Sequence, residues 1–289
     1  MHGIATGASD TGLRRSRNED RLLIDTALNL YVVADGMGGH PAGDVAATLA
    51  VRTATLFVRK EADTISAVRQ GRASAASLVA LCERAVEAAN REVHRVAQTN
   101  PSMHGMGCTL TLLLLAGRVG AMAHVGDTRL YRYRDGELEQ LSRDHTAAAE
   151  LARLGRVDIE RIRDHPFTHL LLRSVGECDT ISVDTQSFEL EAGDRFLLCS
   201  DGLTGYSGAT DWLELELDRA ELDEIPERLV DYANASGGGD NITAIAIEVV
   251  EDRQRATLPE TDPRDYPVYH DAHGVDLPYP HESPGPYGV

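Results

Sequence analysis

Six acidic residues stand beside glycines or at points where an apolar run begins or ends. Glu19 and Asp20 close GLRRSRNED, Asp35 closes YVVAD before Gly36, and Asp127 sits in HVGDTR. Asp201 follows LLCS and precedes Gly202, and Asp240 opens DNIT after three glycines. Any one Asp-Gly after a strand reads as an ordinary turn. Recurrence at four or five strand ends calls for more, because carboxylates that converge cannot all stay ionised unless cations hold them together. An all-oxygen donor set suits hard divalent ions such as Mg²⁺ or Mn²⁺, and a neighbouring glycine lets backbone carbonyls come close. Three arginines, Arg14, Arg15 and Arg17, lie just before Glu19. The histidines form no H-E-x-x-H pattern, which argues against a zinc site of that kind. Ser200 lacks the G-x-S-x-G surroundings of a serine nucleophile and reads as a buried strand end. His124 alternates inward on its run and reads as a core residue.

The elements that would carry these groups are legible as alternating or continuous apolar runs. Strands are predicted over 20–25, 30–35, 108–116, 119–126, 129–141, 181–190, 194–200 and 241–250. The run 129–141 is broken by Asp135-Gly136, a hairpin signal. Long helices are predicted over 42–59 and 74–98, joined by a connector at 60–72, with shorter ones over 146–154, 210–217 and 221–235. Strands arrive as consecutive hairpins, without βαβ alternation. The fold class expected is therefore α+β: two antiparallel sheets face to face with helices outside, a four-layer α-β-β-α sandwich. In such a sandwich strand ends gather at one edge, which is how the acidic residues could meet.

Composition narrows the function. The 289 residues carry 46 Asp+Glu against 28 Lys+Arg, a net charge of −18. Such a chain is a poor counterion for nucleic acid or for an anionic membrane surface, so neither is expected as a partner. No apolar run is long enough to cross a membrane. The N-terminus lacks the basic-then-apolar pattern of a secretory signal. Cys82, Cys108, Cys178 and Cys199 are scattered among apolar or small neighbours, and are expected as buried free thiols of a reducing compartment. A cytoplasmic location is the expectation. Composition shifts near residue 251: the stretch 252–289 holds seven of the eleven prolines and only five Leu or Val, with no Ile. A domain over 1–251 and a disordered tail over 252–289 are expected.

The ordered set GLRRSRNED, VVADGMGGHPAG, GCTLTLLLL, HVGDTRLY, LLCSDGL and GGDNIT closely resembles the metal-dependent type 2C (PPM) family of serine/threonine protein phosphatases, in its compact bacterial form. The likeness covers roughly residues 3–250 and implies the same sandwich. It implies that Asp35 bridges two metals and that the Gly36 carbonyl and Glu19 serve the second. Asp201 and Asp240 complete the first, and Asp20 is the acid adjacent to Glu19. Asp127, with Asp201, matches the holder of a weaker third metal. Arg15, four residues before Glu19, matches the phosphate-binding arginine; Arg14 and Arg17 are rivals by proximity at the wrong spacing. The family expectation is two, or with the third site three, Mn²⁺ or Mg²⁺ ions, and direct attack on a phosphomonoester by a water activated between two metals. Met37 stands where some eukaryotic members have a histidine. The leaving-group proton is then left to His40 or to water. The stretch 142–175 corresponds to the variable flap, with Asp144, His145 and His165 as candidate substrate contacts. Phosphorylated proteins are the implied substrates, a Ser/Thr kinase the implied opponent, and a monomer the expected state. Rival readings are a partner-specific regulatory phosphatase, a tail that recruits a partner, and a catalytically dead binding module; the last is opposed by the presence of Asp35, Asp201 and Asp240.

Overall fold

A computed structural model describes residues 1–37, 42–158, 165–206 and 209–252. The chain divides into a compact unit, Met1–Glu251, and a second unit, Asp252–Val289. The first unit is described here.

Two five-stranded antiparallel sheets form its centre. One contains β1 (His2–Asp10), β12 (Ile242–Val250), β11 (Arg195–Cys199), β8 (Arg129–Arg134) and β9 (Glu137–Gln140), in that order. The other contains β10 (Asp184–Glu189), β7 (Val119–Val125), β6 (Leu110–Ala116), β3 (Leu30–Ala34) and β2 (Arg21–Asp25). A short pair, β4 (Gly36–Met37) and β5 (Gly107–Cys108), extends beyond the second sheet's edge.

Period-2 alternation explains why both faces of these strands are apolar. Along β6, Leu113 and Leu115 point between the sheets, where they meet Tyr31, Val33, Phe196, Leu198, Ile245 and Ile247. Leu112 and Leu114 point the other way. They pack under the helices α1 (Gly43–Lys60) and α3 (Ala75–Thr99). Small side chains at Ala46, Ala50 and Ala54 of α1 and Ala85 and Ala89 of α3 are buried in that layer, which lets two helices lie close together. The first sheet's outer residues Leu197, Cys199, Ala244 and Ala246 pack against Leu213 and Leu217 of α6 (Ala209–Arg219) and Leu229 and Ala233 of α7 (Ile225–Ala235). Helix, sheet, sheet, helix is the layering read from strand order.

Besides very short elements such as β4, two longer ones escaped the sequence reading. β1 runs over HGIATGASD, whose glycines and small polar residues weaken any apolar signal, yet it pairs with β12 along all nine residues. The connector 60–72 contains α2 (Ala62–Arg69), which buries only Ile65 and Val68. The Asp135-Gly136 hairpin is as read, with both residues at positive φ. Cys82, Cys108 and Cys199 are buried free thiols, whereas Cys178 is exposed, a correction to the expectation of four buried thiols. Among the described residues no helix is long and apolar enough to cross a membrane.

Candidate metal centre

Register brings the acidic residues together. Arg21 pairs with Ala34, so Asp20 and Asp35 leave β2 and β3 at the same end. Val33 lies opposite Thr111, and Leu110 opposite Val125, so Asp35, Thr109 and Gly126–Asp127 share that end. In the facing sheet Cys199 lies opposite Ala244, so Asp201, first residue of the short helix α5 (Asp201–Thr204), emerges beside Asp240 and Asn241 at the start of β12.

Side chains and backbone hold each group in place. Thr109 Oγ1 accepts from the Asp35 amide at 2.9 Å, and the Thr109 amide donates to the Asp35 carbonyl at 2.8 Å. Ser200, fully buried, donates its hydroxyl to Asp20 Oδ2 at 2.7 Å and accepts from the Thr243 amide at 2.9 Å. Asn241 ties down the loop between β1 and β2. Its Oδ1 accepts from the Glu19 amide at 2.8 Å, and its Nδ2 donates to the carbonyls of Thr11 and Arg17 at 2.9 and 2.8 Å. Arg15, on that loop, donates to Asp240 Oδ2 at 2.6 Å and is half exposed. Arg14 and Arg17, the other candidates for an anion-binding role, have exposed side chains.

The electrostatics follow from this crowding. Burial, and then the charges of Asp20, Asp201, Asp127 and Asp240, push Asp35 well above the usual carboxylate range. Burial raises Asp20 to about 7, with hydrogen bonds from Thr243 and Ser200 opposing and Asp201 and Asp240 adding to the rise. Asp127 is pushed up to about 8 by burial first and by Asp201 next. Glu19 is raised by burial and then by Asp44. These are groups whose ionised forms need cations.

Among the described residues no three such side chains already close on one point as a cation cage. Arg15 is drawn against Asp240, and His169 lies 3.4 Å from Asp201. The donor set nevertheless fits divalent cations. Asp20 Oδ1, Asp44 Oδ1 and Asp201 Oδ1 are buried with no hydrogen-bond partner among the described residues, an arrangement costly for a carboxylate and natural for a metal ligand or its support. A Cβ on Gly43 would stand 2.5 Å from Glu19 Oε2, so glycine there keeps room for that carboxylate.

Of the residues singled out in the sequence, Glu19, Asp20, Asp35, Gly36, Asp127, Asp201, Asp240 and Arg15 lie at this edge. His40 lies outside the described residues. Two expected flap contacts prove to be structural. His145 is buried, and Asp144 is engaged by Arg129 at 2.6 Å. Asp44, Thr109, Asn241 and His169 were missed. Asp44 looks like an ordinary acid in a helix's first turn, and Thr109 like a strand residue. His169 stands four residues after His165, in HPFTH, a spacing the sequence reading passed over.

Acidic strand ends from two stacked sheets gather at one edge with an arginine beside them, an all-oxygen donor set of the kind that suits divalent cations. The chain belongs to the protein phosphatase 2C family, whose profile matches residues 13–238. The serine/threonine protein phosphatase PstP of Mycobacterium tuberculosis is 36% identical over 243 residues, 84% of this chain and 44% of its own length. The chain thus spans less than half of that relative. The serine/threonine phosphatase stp of Listeria monocytogenes is 34% identical over 251 residues, 83% of this chain and 93% of its own length. A crystal structure of the catalytic domain of PstP in complex with two manganese ions matches at 32% identity and a TM-score of 0.74, covering 86% of this chain and 99% of that one.

Proposed function

We propose that the protein is a Mn²⁺- or Mg²⁺-dependent phosphatase acting on phosphoserine and phosphothreonine in proteins. The observation that carries this reading is the arginine–carboxylate edge: Arg15 reaches Asp240 at 2.6 Å beside the mutually repelling Asp20, Asp35, Asp127 and Asp201. Asp35, the Gly36 carbonyl, Asp201, Asp240 and Glu19 would hold two cations, and Asp127 with Asp201 would hold a weaker third. When bound, such cations would activate water near neutral pH and neutralise charge on the phosphoryl group.

The chain's own residues do the rest. Arg15 releases Asp240 and takes two phosphate oxygens in a bidentate grip, which orients phosphorus for in-line attack. Water attacks directly. Ser200, the hydroxyl nearest the cluster in sequence, is fully buried and committed to Asp20 and the Thr243 amide, which removes it as a nucleophile. Asp20, fixed by Ser200, supports the charge balance of the cluster without facing solvent. The leaving alkoxide takes its proton from His40 or from water. A pH–rate profile of His40→Ala decides, since loss of the limb that reports the acid assigns His40 and an unchanged limb assigns water.

The decisive experiment is hydrolysis of a phosphothreonine peptide with Mn²⁺, Mg²⁺ or chelator, wild type against Asp201→Ala. Turnover that requires the metal and falls by about 10³-fold or more in the variant is expected. No turnover with either metal would sink the enzyme reading and leave the binding-module alternative.

A further inference from the structure

Two buried histidines lie behind the metal edge, where the flap leaves and re-enters the sandwich. His124, on β7, and His145, in the flap, are 0% and 5% exposed, and their ring centroids are 4.7 Å apart. Their tautomers follow from their partners. His124 Nε2 faces the Arg143 carbonyl at 2.9 Å and so carries the proton, while Nδ1 accepts from the Thr111 hydroxyl at 2.7 Å. The Thr111 oxygen lies 2.6 Å from Thr128 Oγ1, which serves as its donor. His145 Nδ1 accepts the Gly126 amide at 3.1 Å, so its proton is on Nε2, which faces Asp184 Oδ2 at 3.2 Å.

The two residues flanking Asp127 are therefore both held from this pair. Gly126 is gripped twice by one flap residue, since the His145 amide also donates to the Gly126 carbonyl at 2.7 Å. Gly126 has φ +110, and a Cβ there would stand 2.5 Å from Thr109 Cβ. Thr109 is the residue that holds the Asp35 backbone. On the flap side, the His145 carbonyl accepts from the Leu172 amide at 2.8 Å, and Thr146 bridges Leu171, which joins the flap's two roots. Arg173, at the returning root, binds Asp184 at 2.6 Å.

We infer that His145 is a positioning residue: it clamps Gly126 between the flap roots and thereby sets the carboxylate of Asp127, coupling the flap to the cation that Asp127 holds. The inference rests on the reading of Asp127 as a ligand of the weakest cation site. A flap that shifts on contact with a phosphoprotein would thereby alter that site without touching it.

The test is calorimetric titration of the full chain with Mn²⁺, comparing wild type, Asp127→Asn, His145→Gln and His145→Asn. The asparagine amide oxygen can replace Nδ1 as the Gly126 acceptor; glutamine places its amide further out, towards Asp184. Expected is a weakest step lost in Asp127→Asn, weakened at least fivefold in His145→Gln with tighter steps unchanged, and within twofold of wild type in His145→Asn. If Asp127→Asn loses no step, the ligand reading fails and takes the inference with it. If Asp127→Asn loses a step but His145→Gln matches wild type, or both His145 variants weaken it equally, only the inference is overturned. If His145→Gln does not fold, a Mg²⁺ titration of ¹⁵N-labelled wild type decides. The Gly126 amide and His145 Nδ1 signals must then shift in step with the weakest binding event, and signals that stay still overturn the inference.

Discussion

Asp127 shows how a residue suited to a cation burdens the bare fold. It is buried, and its carboxyl titrates at about 8 because of that burial and then the charge of Asp201. In the unfolded chain it titrates near the ordinary aspartate value of about 3.9. Between those values the folded state holds a proton that the unfolded state has released, so this group lowers stability as pH rises through the window. An uncharged amide in its place would have no such cost. In chelator, Asp127→Asn is expected to be more stable than wild type by about 3–5 kcal/mol at pH 7.5, with the gain vanishing as pH falls towards 4. Urea melts in EDTA at pH 4 and 7.5 measure it, and a variant less stable at the higher pH contradicts the account. The same logic explains what was legible at this scale. Acids beside glycines at strand ends are visible in a sequence because their positions repeat. Asp44 and Thr109 are not, because their roles depend on what a distant segment places against them. His145 read as a candidate substrate contact because the groups it packs against, Gly126 and His124, are not its neighbours in the chain.

The loop between β1 and β2 has no hydrophobic anchor for Arg15, whose own side chain and both neighbours are exposed. It is held by Asn241, which bonds Thr11, Arg17 and Glu19, and by the Gly238 carbonyl, which accepts from the Leu13 and Arg14 amides at 2.8 and 3.1 Å. Asn241 is 5% exposed, so removing its side chain leaves buried partners unpaired. Asn241→Ala is expected to cost about 2–4 kcal/mol and to lower kcat/KM for a phosphopeptide by tenfold or more. The reason is that Arg15 and Glu19 lose their shared support. Urea midpoints and steady-state kinetics at saturating Mn²⁺ read the two effects, and unchanged kinetics in a folded variant would show that the loop is held by other contacts. Elements with strong local pattern, such as β6 and the Asp135-Gly136 hairpin, were legible because their signal lies within a few residues. β1 was not, since what makes it a strand is nine residues of pairing with β12 at the far end of the chain.

The net charge of −18 belongs to the whole chain, and the two units share it unequally in kind. In Met1–Glu251 the strand-end acids converge at one sandwich edge, and three apolar clusters lie on and between the sheets. In 252–289, seven acids and three arginines are interleaved with seven prolines and only five Leu or Val. Such a composition offers little apolar area to offset chain entropy. Residues 253–289 lie outside the described part, and their role remains the proposal drawn from composition: a segment dispensable for chemistry. A chain ending at Glu251 should then keep its urea midpoint and its Mn²⁺-dependent turnover of a short phosphothreonine peptide within twofold of the full chain. The short peptide matters, because a protein substrate could also engage the tail, and slower turnover of the protein alone would assign 252–289 to partner capture. A truncated chain that melts earlier or loses peptide turnover would place part of 252–289 within the folding unit and move the boundary.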